Sequence, residues 1–148
     1  MKNLTKATIM VGAGLYIAAT ASAFAQSEAA QKEGVLSLEL NAAQPSEKGC
    51  RLTFVVNNGL AGTLKAASFE LVLFDKAGVV DRITAVGFKE LTGGKTKVSR
   101  FDLADVDCAN IGRVLINSVT ECNGDGVAPD DCSRQLRTTS RAGIEFGT

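Results

Sequence analysis

The chain has no histidine and no tryptophan, and its single tyrosine, Tyr16, lies near the amino terminus. Without histidine, the Ser–His–Asp and Cys–His routes to nucleophilic catalysis are closed, and so are histidine-containing metal sites. Sugar-binding clefts and protein hot spots draw heavily on tryptophan and tyrosine, so a lectin-like cleft is not expected. Excess charge of one sign is missing too: 16 Lys and Arg stand against 16 Asp and Glu. No basic stripe of the kind that tracks nucleic acid is present, and no polybasic patch would hold anionic lipid. Neither G-x-S-x-G nor S-x-x-K occurs. Gly93-Gly94-Lys95-Thr96 has the letters of a P-loop's end, but Lys89 stands where its first glycine belongs, so the segment reads as a hairpin turn.

Long apolar runs are lacking after residue 19. The one before it carries information. Lys2 and Lys6 precede Ile9-Met10-Val11-Gly12-Ala13-Gly14-Leu15-Tyr16-Ile17-Ala18-Ala19, and Ala23-Phe24-Ala25 follows as a small-x-small cleavage site. That order is a secretory signal peptide over 1–25. The run is short of the roughly 20 residues a membrane span needs, and no cysteine follows the cleavage site for lipid attachment. No membrane span is expected after cleavage. The sequence thus implies a periplasmic, secreted protein that is slightly acidic once Lys2 and Lys6 are gone. A flexible leader is expected over 26–34 and a single β domain over 35–148.

What fills that domain is short alternating stretches. Residues 35–40 read as a first strand, and 41–49, with Pro45, Ser46 and Gly49, as turn chemistry. Cys50, Leu52, Phe54 and Val56 alternate with Arg51, Thr53 and Asn57, which gives a strand with one face in the core. Residues 69–74 are a strand, Asp75-Lys76-Ala77-Gly78 a turn, and the returning strand runs to about Phe88. Thr92-Gly93-Gly94-Lys95 turns into a strand over 96–103. In 111–119, Val114 and Ile116 point one way and Leu115 the other. Pro129 opens a short helix over about 130–136, and 143–146 is a last strand. No window sustains helical spacing. About seven strands at ten-residue spacing predict an immunoglobulin-like antiparallel β-sandwich with a short helix near the C-terminus. An OB-like barrel is the second choice.

Four cysteines allow three pairings. Export makes disulfides persistent, and neither C-x-x-C redox spacing nor paired zinc spacing is present. Cys50–Cys108 and Cys122–Cys132 are the expected bridges. The second encloses the densest polar cluster, with Asn123, Asp125, Asp130 and Asp131 as candidate calcium ligands. Hard oxygen donors suit calcium, although no glutamate stands at the twelfth loop position. The bland reading of the cluster is a solvated acidic loop, with Asp130 and Asp131 at a helix start. Asp102, Asp105 and Asp107 form a second acidic stretch, read as a capped turn rather than an acid–base pair. Arg134, Arg137 and Arg141 are read as partners of the acidic loop upstream.

The stretch Phe69-Glu70-Leu71-Val72-Leu73-Phe74-Asp75-Lys76-Ala77-Gly78-Val79-Val80 resembles the strand-turn-strand core of FxLYD-type bacterial domains, with Phe74 where tyrosine is usual. Those modules are small immunoglobulin-like sandwiches. With Phe101-Asp102-Leu103, Gly112-Arg113-Val114-Leu115-Ile116-Asn117 and two late cysteines, the chain also resembles uncharacterised exported proteins of alphaproteobacteria. That resemblance implies a periplasmic home and carries over no catalytic residue. The expectation is a non-enzymatic structural or protein-interaction module, with no cofactor, no nucleic acid and a protein partner. Its alternative is a calcium-binding module built on the 122–132 loop. A third reading, a carboxylate-only glycosidase, needs two carboxyls across a cleft. By the strand alternation, Arg51, Thr53, Val55 and Val72 are expected to lie on an outward sheet face, and an exposed apolar patch there would support partner binding.

Overall fold

The computed structural model describes residues 34–148. The signal peptide expected over 1–25 lies outside the described residues, as does the leader apart from Gly34. The strands are β1 (Leu36–Ser46), β2 (Gly49–Asn58), β3 (Thr63–Asp75), β4 (Val80–Leu91), β5 (Thr96–Ala104), β6 (Ile111–Asp125), β7 (Leu136–Ser140) and β8 (Glu145–Gly147). A 3-10 turn, Cys108–Asn110, precedes β6, and a one-turn helix, α1 (Asp131–Arg134), precedes β7. The strands form two four-stranded sheets, in the orders β5-β2-β1-β7 and β4-β3-β6-β8. The all-β sandwich expected from the sequence is the fold.

The alternation in the sequence sets the core. Leu36, Leu38 and Leu40 of β1 and Leu52, Phe54 and Val56 of β2 face inward from one sheet. Phe69, Leu71 and Leu73 of β3, Val86 and Phe88 of β4 and Val114 and Ile116 of β6 meet them from the other. Successive side chains of a strand point to opposite faces, so every second residue is buried. Phe88 is the hub. Its ring meets Phe54 at 6.1 Å, Phe69 at 6.1 Å and Phe101 at 5.6 Å, all edge-on. Edge-on pairs set the positive rim of one ring against the negative face of the next.

The sheets are not purely antiparallel. β7 runs parallel to β1, and β8 runs parallel to β6. Both late strands follow connections that change sheets. Such a connection is free of the reversal a hairpin imposes. Among the described residues there are also eight strands rather than about seven. The extra one, β7, comes from Leu136-Arg137-Thr138-Thr139-Ser140, the tail of which has no apolar alternation. Only Leu136 is buried, and the helix expected to run to it stops at Arg134. β1 holds a further correction: residues 41–46, expected as a turn, continue the strand to Ser46. Ala43 pairs with Leu52 and Pro45 with Cys50. β7 covers β1 only as far as Leu40, opposite Ser140. Beyond it β1 is an edge strand, where the missing N–H of Pro45 is tolerated.

The β3–β4 hairpin forms as its turn residues dictate. Asp75 Oδ1 accepts from the N–H groups of Ala77 and Val79, both at 2.9 Å, and Gly78 takes φ +82°. Both expected disulfides are present. Cys50–Cys108 joins the start of β2 to the 3-10 turn before β6, and so ties one sheet to the other. Cys122–Cys132 joins β6 to α1.

Candidate functional site

The acidic loop does not gather its ligands. β6 runs on to Asp125, because the early residues of β3 pair with it: Thr63 lies opposite Asp125 and Leu64 opposite Gly124. Cys122, Asn123 and Asp125 are therefore strand residues. Asn123 Nδ2 donates to Glu121 Oε1 at 2.8 Å, and Asp125 pairs with Lys65 at 2.9 Å. On the other side of the disulfide, Asp130 pairs with Arg134 at 2.8 Å. Asp131 accepts from the Ala128 N–H at 2.8 Å and from Gln135 Nε2 at 3.0 Å. Each of the four is held by a local donor or pairs with a neighbour of its own. Among the described residues, no group of three or more Asp, Glu or Cys is arranged to hold a metal ion.

The second acidic stretch behaves as a turn. Asp107 Oδ1 accepts from the Ala109 N–H at 2.9 Å, and Asp102 forms a two-pronged pair with Arg51 at 2.9 and 3.0 Å. The hydrogen-bonded Arg51 guanidinium holds the Asp102 carboxyl below its ordinary pKa, and the Asp102 carboxylate in turn raises that of Arg51. Asp75, Asp81, Asp105 and Asp107 line a concavity of ≈ 160 Å³ at the same end. Ligand pockets usually span about 300–1,000 Å³, so the space is small for a sugar. The arginines split three ways. Arg134 pairs with the acidic loop as expected, Arg141 with Glu39 at 3.0 Å, and Arg137 donates to the carbonyl of Leu136. The Asn41 amide, then Arg141, lower the pKa of Glu39.

The outward residues give the more telling pattern. Arg51 is exposed, but Thr53 is nearly covered and Val55 half-buried. On that sheet Val55 lies opposite Val98, with Thr53 opposite Arg100 and Asn57 opposite Thr96. The apolar part of this row is one pair. Val72 sits on the outer face of the other sheet, yet it is only 6% exposed. Its neighbours explain the cover. Val72 lies directly opposite Ile83 on β4 and Leu115 on β6. In the next row, Phe74 lies opposite Val80 and Arg113. Directly opposed residues share a face, so Ile83, Val72, Leu115, Val80 and Phe74 form one apolar patch. The register shift between Leu73 and Phe74 inserts an extra residue into β4 here, which is how both Val80 and Ile83 reach the same face.

The patch is open at its β4 side, where Ile83 is 60% and Val80 50% exposed. Polar groups rim it. The Arg113 guanidinium lies 5.8 Å from the Phe74 ring centre and 3.3 Å from Glu145 on β8. On the other side Asn117 Nδ2 donates to Glu70. A groove of ≈ 310 Å³ continues past Phe74 and Arg113 to Lys76 and Gly78 of the hairpin. The sequence held a signal for this patch. Val72 and Phe74 are apolar in the polar phase of β3, and Leu115 is apolar in the polar phase of β6. What was missing is the register that sets them side by side. Comparison of the chain with protein-family models, with curated proteins and with solved structures returns no match.

Proposed function

We propose that this chain is an exported, non-enzymatic module that binds a protein partner through the outer face of the β4-β3-β6-β8 sheet. The observation that carries the reading is the patch of Val80, Ile83, Val72, Phe74 and Leu115 rimmed by Arg113, Glu145 and Glu70. An apolar centre with a polar rim is the usual anatomy of a docking surface. Two disulfides favour an oxidising compartment, and with the leader-like first 25 residues they support a bacterial periplasm. Among the described residues no helix is long and apolar enough to cross a membrane. The FxLYD-like hairpin and the alphaproteobacterial affinity belong to this proposal.

The test is in situ crosslinking in the producing cell, followed by capture of the chain and of its Ile83→Asp variant. Ile83 is 60% exposed, so the substitution leaves the core untouched. A partner recovered with the native chain should fall about tenfold or more with the variant, the size expected for one central contact worth over 1.4 kcal/mol. Equal recovery overturns the reading.

A further inference from the structure

β4 is an edge strand. Among the described residues its far side pairs with no other strand. A long open edge is a template for another strand, and proteins usually blunt it with charges or bulges. β5, the edge of the other sheet on this side, is blunted in that way: Lys97, Arg100 and Asp102 interrupt it. β4 is blunted only at its ends. Asp81 and Arg82 stand at one, beside the register shift, and Lys89 and Glu90 at the other, where Glu90 takes φ 54°. Between them Ile83-Thr84-Ala85-Val86-Gly87-Phe88 carries no charge.

The backbone of that stretch has a definite polarity. The Lys89 carbonyl accepts from Lys97 Nζ, which reaches it from β5 and not from β3. Peptide groups of alternate residues in a strand point to the same side. β4 pairs without interruption from Lys89 to Arg82, so Ile83, Ala85 and Gly87 also turn their N–H and C=O groups away from β3.

We infer that β4 pairs antiparallel with β4 of a second copy about a two-fold axis at Ala85. In that register Ala85 meets Ala85, and Ile83 meets Gly87 in both directions. The exposed Ile83 side chain then lies over a residue with no side chain. Towards each end the register sets Asp81 of one copy opposite Lys89 of the other, an opposite-charge pair that the symmetry repeats. A two-fold interface must be self-complementary in this sense. The two sheets join edge to edge. The inference goes beyond the outer-face reading and does not rest on it, because the edge lies in the plane of the sheet and shares only Ile83 with the patch.

Sedimentation equilibrium of the full chain, secreted through its own leader, is expected to show a dimer at micromolar concentration. Ala85→Pro removes the central donor without touching the β3 ladder, since the Ala85 N–H points outward, and is expected to be monomeric. Ala85→Lys, at an exposed position, sets two ammonium groups together on the axis and should also be monomeric; it guards against a misfolded proline variant. Cysteine placed at Ala85 should crosslink copy to copy under mild oxidant, since opposed Cα atoms about 5.5 Å apart suit a disulfide. Cysteine at exposed Val98 should not. A native chain that stays monomeric at hundreds of micromolar overturns the inference and leaves the outer-face reading standing. A dimer that survives both Ala85 substitutions, or crosslinks as readily through position 98, overturns it as well.

Discussion

Asn58 is the polar residue on which most of one end of the sandwich depends. It is fully buried at the end of β2. Its Nδ2 donates to the carbonyls of Gly62 and Leu91 at 2.9 and 2.7 Å, and its Oδ1 accepts from the Leu60 N–H at 3.1 Å. One side chain thus satisfies three backbone groups, two in the β2–β3 loop and one at the end of β4. Each buried group left without a partner costs about 1–3 kcal/mol. Asn58→Ala is expected to lower the unfolding free energy by about 3 kcal/mol or more in urea titrations. Asn58→Asp should do worse at neutral pH, because a carboxylate cannot donate to either carbonyl. Burial raises the pKa of such an acid, so the deficit should grow as pH rises above about 4 and shrink below it. A pH-independent Asn58→Asp deficit would contradict this account. Asn58 could be read in the sequence only as part of Asn57-Asn58-Gly59, a break in the pattern. The break was legible; the closed hydrogen-bonding of its side chain depends on the β2–β3 loop and the end of β4.

Strands and bridges tell a different story about what a sequence carries. β2, β4 and the second half of β3 were legible because alternation and turn residues are local; β3 begins at Thr63 rather than at Phe69. β7 was not, since Leu136 is its single buried residue and its place beside β1 is fixed by long-range pairing. The candidate face was half legible: its out-of-phase residues were visible, but their adjacency was set by registers and a bulge. The two disulfides separate in strength by the chain each closes. With a sequence separation of 58, the loop-closure model assigns Cys50–Cys108 about 4 kcal/mol; with a separation of 10, Cys122–Cys132 receives just under 3. The Cys50→Ala/Cys108→Ala pair should therefore lower the melting temperature more than Cys122→Ala/Cys132→Ala. The reverse order in calorimetry would mean that local geometry outweighs loop length. Ion pairs across strands add a weaker effect. The Asp102 and Glu39 carboxyls are held below their ordinary values by hydrogen bonds, from Arg51 in the first case and from Asn41 and Arg141 in the second. A lowered folded pKa gives stability that is complete above the ordinary carboxylate range of about 4 and is lost as pH falls through the folded values. Asp102→Asn with Glu39→Gln should flatten the acid limb of the stability profile and leave its alkaline side alone. Asp102 is exposed and Glu39 half-buried, and cross-strand pairs of this kind are weak, so the change in urea midpoint should be small.

For the molecule as a whole, the acidic 122–132 segment is stitched to its neighbours side chain by side chain. Its candidate ligands are already engaged with Lys65, Arg134, Gln135, the Ala128 N–H and Glu121. Thermal melts in millimolar calcium and in EDTA are expected to coincide. Saturation at a hundred times a dissociation constant would add about 2.7 kcal/mol, which a shifted midpoint would reveal. The parallel seating of the last two strands has another consequence, one of timing. β1 waits for β7 to cover its far side from Leu36 to Leu40, and β6 waits for β8 at Arg113 to Leu115. Phe146 of β8 also completes the aromatic cluster, 5.7 Å from Phe54. Neither of these flanks is covered until β7 and β8 have seated, so an incompletely folded chain carries two open strand edges there. Such flanks invite misassembly. A chaperone that shields strand edges would therefore act on this protein late, and would release it when Phe146 seats.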